Sequence, residues 1–160
     1  MKFSECLITF LLLFTTTSLL AQNCVGYYQI GDCMLDLRRD YKIYSQSKSV
    51  VMNPTDTVEF NVVFYGQKDY ICSFCTHSKF YPIHFILIDS DSDEVLYDNA
   101  KDKYIESLGM GFDATKSLTI RVDLLARKAT DEEIEEYMGC LGMLIQYKNY
   151  TQRKVNLRMQ

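Results

Sequence analysis

Several segments of the chain show the alternation of apolar and polar residues that is typical of β-strands with one buried face. In TVEFNVVFYG, residues 57–66, and in SLTIRVDLLA, residues 117–126, nearly every second side chain is apolar. The segment YPIHFILID, residues 81–89, is apolar at most positions, which predicts a central strand covered on both faces. GCLGMLIQYK, residues 139–148, supplies the last predicted strand, and its glycines indicate a bulge or a close backbone approach.

Turn-forming residues separate these strands. The acidic stretch DSDSDE, residues 89–94, predicts a hairpin turn before the short segment EVLYDN, and GMGFDATKS, residues 109–117, predicts an irregular loop. Helical pattern is scarce: DEEIEEYM, residues 131–138, suits one or two helical turns, and CMLDLRRDY, residues 33–41, is ambiguous. The predicted fold class is all-β, an antiparallel β-sandwich with at most one or two short helical turns.

The N-terminal segment has the features of a secretory signal peptide. A lysine at the second position precedes an apolar run at residues 7–14, and the small residue Ala21 suits a signal peptidase. That run is shorter than the roughly 20 residues needed to cross a bilayer, and no later run is longer. We therefore expect a signal peptide at residues 1–21, one sandwich domain at residues 22–150 and a polar tail at residues 151–160.

The signal peptide predicts a secreted or periplasmic location, and attachment to the cell surface is an open alternative. Acylation of Cys24 would provide such attachment, but Ala21, Gln22 and Asn23 do not form the Leu-x-small pattern of lipoproteins. The sequence NYT, residues 149–151, would be an N-glycosylation acceptor in a eukaryotic host.

The charge of the chain argues against nucleic acid as a partner. The formal net charge is −4 at pH 7, whereas neutralising phosphates requires clustered Lys and Arg. The basic residues Arg153, Lys154 and Arg158 lie in the polar tail. No cofactor motif is present in the sequence.

The motif in DYICSFCTHSKF, residues 69–80, raises the question of thiol or metal chemistry. A redox pair needs its first sulfur at the start of a helix, because the helix dipole stabilises the thiolate, and here Pro82 and a strand follow instead. A zinc site built on Cys72, Cys75 and His77 would still need a fourth ligand. A thiol redox or metal-binding protein is therefore the alternative functional hypothesis.

A structural role in disulfides is the leading interpretation of the cysteines, because an oxidising compartment favours bridges. Cys24 and Cys33 are expected to pair by proximity. Cys72 and Cys75 point to opposite faces of an extended segment, so one of them is expected to meet Cys140. We predict the pair Cys75–Cys140, with Cys72 left as a buried thiol, and a Cys72–Cys75 bridge is the runner-up.

The acidic turn also resembles part of a calcium loop. Asp89, Asp91 and Asp93 have the spacing of the first ligands of an EF-hand, but the loop lacks the glycine at its sixth place, and Ala100 stands where the distal glutamate should be. A solvated hairpin turn is the preferred interpretation, and a calcium site is the alternative.

No pattern in the sequence indicates catalysis. The two histidines, His77 and His84, are not part of a recognisable catalytic arrangement, and His84 lies in an apolar strand where a hydrogen-bonded structural histidine is common. No serine lies in a GxSxG elbow. We therefore predict that the protein is not an enzyme.

Four strings together resemble a known group of proteins: FYGQKDY at 64–70, HFILIDSDSDEVLYDN at 84–99, SLTIRVDLLA at 117–126 and GCLGMLIQYK at 139–148. They are similar to uncharacterised secreted β-sandwich proteins of Bacteroidetes-type bacteria and, more distantly, to pre-peptidase C-terminal and GOLD-like domains. The resemblance implies a jelly-roll-like sandwich of about eight strands with an accessory, noncatalytic role.

The functional prediction is thus a secreted or periplasmic binding or structural module for a protein or glycan partner. Exposed tyrosines would make the contact, and the candidates are Tyr65, Tyr70 and Tyr97, with Tyr41 and Tyr44 as further members.

Overall fold

The computed structural model describes residues 24–30, 33, 40–54, 56–125 and 139–149. The predicted signal peptide, the polar tail and the helical segment at 131–138 lie outside these residues, so these predictions and the domain boundaries stay predictions. The described strands are β1 Lys42–Ile43, β2 Lys48–Met52, β3 Thr57–Phe64, β4 Lys68–Cys75, β5 Ile83–Asp89, β6 Val95–Asp98, β7 Ser107–Phe112, β8 Lys116–Leu124 and β9 Gly139–Asn149. The helix α1 spans Tyr27–Ile30, and single 3₁₀ turns span Ser78–Phe80 and Asn99–Asp102.

The strands form two antiparallel sheets in a jelly-roll order. Sheet A has the order β2-β9-β4-β7. Strands β1 and β2 both pair with the same edge of β9, β2 near the start of β9 and β1 near its end. Sheet B has the order β3-β8-β5-β6. Apart from the β5–β6 hairpin, each strand from β2 to β8 is followed by a strand of the other sheet, which is the winding of a jelly roll. The predicted antiparallel sandwich is confirmed.

The core lies between the sheets and is built by the alternation seen in the sequence. On β8 the side chains of Leu118, Ile120, Val122 and Leu124 are buried, and the intervening ones are partly exposed. The largest fully buried side chains of the other strands include Phe64, Tyr70, Phe74, Phe85 and Met143. Burial of a large apolar side chain contributes about 1.5–3 kcal/mol, so this layer is the main source of stability.

Two predicted details of the strands were wrong. Residues 83–89 of the segment 81–89 form β5, an inner strand of sheet B, but only one face is fully covered, since His84 and Ile86 on the other face are half-buried. The segment 109–117 is not an irregular loop: most of it belongs to β7 and β8, which are separated only by residues 113–115. Strand β7 was not predicted because its glycines have low strand propensity. Its residues Leu108, Met110 and Phe112 nevertheless alternate and pack against the core.

Two disulfides hold the first described residues, 24–30 and 33, against the outer face of sheet A; we call these residues the strap. Cys24 is bonded to Cys140 on β9, and Cys33 is bonded to Cys75 on β4. The backbone N–H of Tyr28 donates to Ser49 Oγ on β2 at 2.9 Å. The strap thus reaches three neighbouring strands.

The predicted set of bonded cysteines is correct, but both predicted pairs were wrong. Cys24 does not bond Cys33, and Cys75 does not bond Cys140, because the two strap cysteines bond two different strands of sheet A, Cys24 to β9 and Cys33 to β4. Cys72 is a free, buried thiol on the core side of β4, as predicted, and the Cys72–Cys75 bridge does not form. The three-residue spacing therefore separated the two cysteines onto opposite faces as expected.

Candidate binding site

The Cys72–Cys75 motif has no free pair of thiols. Cys75 is consumed by its bond to Cys33, and the thiol of Cys72 is fully buried, which raises its pKa well above the usual range. His77 lies on the surface, where its Nδ1 accepts a hydrogen bond from the Lys79 backbone N–H. Cys72, Cys75 and His77 therefore form neither a redox pair nor a zinc site, and the alternative functional hypothesis was wrong. Among the described residues no group of three or more His, Cys, Asp or Glu side chains could hold a metal ion.

The three aspartates of the acidic turn have structural contacts. Asp89 is buried and accepts a hydrogen bond from Lys116 Nζ through Oδ2, while its Oδ1 accepts from the Asp91 backbone N–H at 3.0 Å. The Lys116 ammonium is the main reason that the pKa of Asp89 lies below its usual value. Asp93 has a positive φ of 57° and closes the turn by donating its N–H to the Asp89 carbonyl. A carboxylate already neutralised by lysine is a poor cation ligand.

The tyrosines proposed as surface contacts differ in exposure. Tyr65 is 50% exposed, whereas Tyr70 is only 1% exposed and belongs to the core, so its assignment as a surface contact was wrong. Tyr97 is half-buried: its ring packs against Phe85, and its hydroxyl donates to Asp102 at 2.7 Å. Tyr44 is buried as well, and desolvation together with nearby Tyr70 raises its pKa to about 12.

Tyr65 instead belongs to a surface cluster that forms at one end of the sandwich, where β3, β4 and β9 meet. Lys68 Nζ lies 5.3 Å from the centroid of the Tyr65 ring and 4.7 Å from that of the Tyr147 ring. On the other face of β9, Lys148 Nζ lies 5.0 Å from the Tyr41 ring centroid. Lys42 stands opposite Tyr147 in the β1–β9 pair. We call Tyr41, Lys42, Tyr65, Lys68, Tyr147 and Lys148 the tyrosine–lysine rim.

Buried groups beneath the rim fix the position of Tyr65. The hydroxyl of Tyr70 accepts a hydrogen bond from the Tyr65 N–H at 2.9 Å and donates to the Tyr65 carbonyl at 3.2 Å. The next residue, Gly66, passes so close to the 113–115 turn that an added Cβ would lie 2.7 Å from the Asp113 carbonyl oxygen. Tyr44 contacts both rim rings edge-on, at centroid distances of 6.5 Å to Tyr65 and 5.8 Å to Tyr147. The exposed ring is therefore held in place before any ligand binds.

The rim is a positively charged region on an acidic protein. Lys148 faces Asp69 at 3.6 Å, a long salt bridge between partly exposed groups. Within the part of the chain that the structure describes, Lys68 has no carboxylate within salt-bridge distance, and its contacts are the two tyrosine rings. Cation–π contacts of this kind contribute about 0.5–1 kcal/mol at exposed sites and leave the charge available to an anion.

The sequence pointed to Tyr65 but not to Lys68 or Tyr147. Lys68 and Tyr147 are far apart along the chain and meet only because, in the β4–β9 pair, Lys68 stands opposite Asn149, which is two residues from Tyr147 on the same face of β9. The register of these strands was not predictable from local pattern, so no signal in the sequence joins the two residues.

A second polar cluster lies on the outer face of sheet B. His84 Nε2 is 3.1 Å from Asp98 Oδ1, and His84 Nδ1 is 3.2 Å from Asp123 Oδ2. A neutral imidazole has a single N–H, so both nitrogens donate at once only in the imidazolium form. Asp98 also accepts from the Ala100 N–H, which together with His84 lowers its pKa. The cluster ties β5, β6 and β8 together, and the prediction of a hydrogen-bonded structural His84 is confirmed.

No protein-family model matches the chain, and no curated protein matches it in sequence. Among solved structures the chain is similar to PliG of Aeromonas hydrophila, a periplasmic lysozyme inhibitor of g-type lysozyme. The alignment covers 71% of this chain and 93% of that chain, at 9% sequence identity and a TM-score of 0.44. A likeness this distant carries no argument about function, and the resemblance to Bacteroidetes-type and pre-peptidase sandwiches stays a prediction.

In the described part of the chain, no helix is long and apolar enough to cross a membrane.

Proposed function

We propose that this protein is a noncatalytic binding module of the secreted or periplasmic compartment, and that the tyrosine–lysine rim contacts a protein or glycan partner. The observation that carries the proposal is the position of Lys68 between the rings of Tyr65 and Tyr147, on a surface fixed from below by Tyr70. Preorganised aromatic side chains are effective contact groups because little side-chain entropy is lost when they bind.

Two further observations support the proposal. Both disulfides suit an oxidising compartment, where such bonds persist. Neither histidine hydrogen-bonds a serine, threonine or cysteine side chain among the described residues, and catalysis by a histidine-activated nucleophile depends on such a pair.

The test is a binding screen with two matched variants. Wild-type protein, the double variant Tyr65→Ala/Lys68→Gln and the control Lys101→Gln are applied to a saccharide array and to a panel of purified envelope proteins. Lys101 is exposed in the second 3₁₀ turn and serves as a lysine outside the rim. We expect at least one ligand to bind the wild type and the control alike and the double variant on the order of tenfold more weakly.

Equal binding of all three proteins to every ligand would refute the assignment of the rim. Turnover of a bound ligand by the wild type would refute the noncatalytic role. Circular dichroism and thermal unfolding of each variant establish that a loss of binding does not come from a loss of fold.

A further inference from the structure

The chemistry of the rim narrows the class of ligand, and we infer that it binds saccharides that carry a carboxylate, such as uronic-acid polymers. This inference rests on the proposed binding function and specifies its ligand. Three features of the rim support it: an unneutralised cation, flanking aromatic rings, and a backbone that is already paired at Lys68, Tyr65 and Tyr147.

The cation is Lys68. Its ammonium group is held over two ring faces and, among the described residues, has no acidic partner. Lys42 on β1 and Lys148 on β9 lie at the same end of sheet A, where Lys148 points to the other face of β9 and faces Asp69, so three lysines are found at this end of a protein whose net charge is −4. An anionic ligand is the partner that these ammonium groups would bind favourably.

The aromatic rings indicate that the anion is attached to a flat apolar surface. Tyr65 is half exposed, while Tyr147 and Tyr41 are partly exposed on either side of the end of β9. A pyranose ring presents an apolar C–H face that packs on an aromatic ring, with its polar groups at the ring edge. A uronic acid places its carboxylate at that edge, where a lysine beside the aromatic ring can reach it.

The backbone of the rim favours a saccharide over an acidic peptide. At Lys68 the strand β4 is paired on both sides, with Phe112 of β7 and Asn149 of β9. At Tyr147 the strand β9 is paired with β1 and β4, and the N–H and C=O of Tyr65 are both taken by the Tyr70 hydroxyl. An extended peptide binds a sheet mainly through free edge groups. Around Lys68, Tyr65 and Tyr147, therefore, only side chains are available for recognition.

The experiment compares three polymers by isothermal titration calorimetry. Polygalacturonate carries the carboxylate, its fully methyl-esterified form keeps the same sugar ring without the charge, and poly-glutamate carries carboxylates without a sugar ring. We expect wild-type protein to bind polygalacturonate, with affinity that falls between ~0.1 M and ~0.5 M salt as screening increases. The methyl ester and poly-glutamate should bind at least about tenfold more weakly.

Variants assign the binding to the rim. Lys68→Gln and Tyr65→Ala should each weaken polygalacturonate binding on the order of tenfold, whereas Tyr65→Phe, which keeps the ring, and Lys101→Gln should bind like the wild type. Equal binding of the methyl ester would overturn the role of charge. If poly-glutamate binds as tightly as polygalacturonate and Tyr65→Ala does not weaken its binding, the ligand is an acidic protein segment and not a saccharide.

The two proposals fail in different ways. If polygalacturonate does not bind but another ligand of the screen depends on Tyr65 and Lys68, the inference is wrong and the binding function stands. If no ligand of either experiment depends on these residues, the binding function of the rim is wrong as well.

Discussion

Cys75 on β4 lies directly opposite Gly142 on β9, and the missing side chain of Gly142 makes room for the Cys33–Cys75 disulfide. A Cβ at this position would lie 2.8 Å from Cys75 Sγ, 3.0 Å from Cys33 Sγ and 3.0 Å from the Tyr28 Cα. The close backbone approach predicted from the glycines of the last strand is therefore confirmed at Gly142, and it serves the strap.

Substitution of this glycine should destabilise the protein. Gly142→Ala forces the strap away from the sheet, and overpacking of this kind costs about 1–3 kcal/mol in free energy of unfolding. Urea denaturation measures the change. Gly109→Ala is the matched control in the same sheet, because a Cβ there meets no atom within 4 Å, so its effect should stay within about 0.5 kcal/mol. Equal losses for both variants would show that the contact with the strap is unimportant.

The thiol content of the protein should change only on unfolding. Of the five cysteines from Cys24 onward, four are bonded and Cys72 is buried. In protein that lacks residues 1–21, and with them Cys6, Ellman's reagent should therefore detect no thiol in the folded state and one after denaturation without reductant. Replacement of Cys72 by Ala should remove that single signal. A thiol that reacts in the folded protein would contradict the burial of Cys72, and two thiols after denaturation would contradict one of the disulfides.

The strap disulfide Cys33–Cys75 should stabilise the protein without determining its fold. It joins residues 42 positions apart, and the loop-entropy relation gives about 4 kcal/mol for a closed loop of that length. The double variant Cys33→Ala/Cys75→Ala should lose up to this amount in urea denaturation while its far-UV circular dichroism keeps the β-sheet signal, because both sheets pair through their own strands. Loss of the β signal would show that the sandwich depends on the strap.

The hydroxyl of Tyr70 should contribute more to the free energy of unfolding than the hydroxyl of Tyr97. Tyr70→Phe removes the group that both accepts from and donates to the backbone of Tyr65, and we expect a loss of about 1–2 kcal/mol in free energy of unfolding. Tyr97→Phe removes a single exposed hydrogen bond to Asp102 and should cost less than about 0.5 kcal/mol. If the two variants lose the same stability, the Tyr70 hydroxyl does not hold the turn at Tyr65.

The pairing of Asp89 with Lys116 should make stability depend on pH in the acidic range. Because the folded protein lowers the pKa of Asp89, the ionised carboxylate stabilises the fold above the unfolded pKa of about 3.9. This contribution is lost as the pH falls through the folded pKa, which lies lower still. Asp89→Asn should therefore have a lower urea midpoint than the wild type at pH 7, and the difference should shrink steadily below about pH 4. A difference that does not change with pH would mean that Asp89 acts by packing and not by charge.

The fold was largely predictable from the sequence, and the functional surface was not. Period-two alternation on β3 and β8 depends only on which face is buried, so it can be read from neighbouring residues. The jelly-roll winding followed from a resemblance and not from any local signal. Strand β7 was missed because its glycines have low strand propensity, although its pairing with β4 does not depend on side chains.

The errors in the disulfide pairs have the same physical origin. Proximity in sequence favoured Cys24–Cys33, but the strap spans between two strands and its two cysteines bond different ones. Such an arrangement depends on the register of β4 against β9, as does the meeting of Lys68 with Tyr147. Register is a long-range property, and the pattern within one strand does not contain it.

The bond between Cys24 and Cys140 also fixes the position of Cys24 relative to the rim. Cys140 lies at the start of β9 and Tyr147 near its end, so seven residues of extended chain, about 23 Å at 3.3 Å per residue, separate them. A group attached at Cys24 is therefore attached at the end of β9 opposite the rim. A tether at that point, natural or engineered, would orient the tyrosines and lysines away from the surface to which the protein is attached.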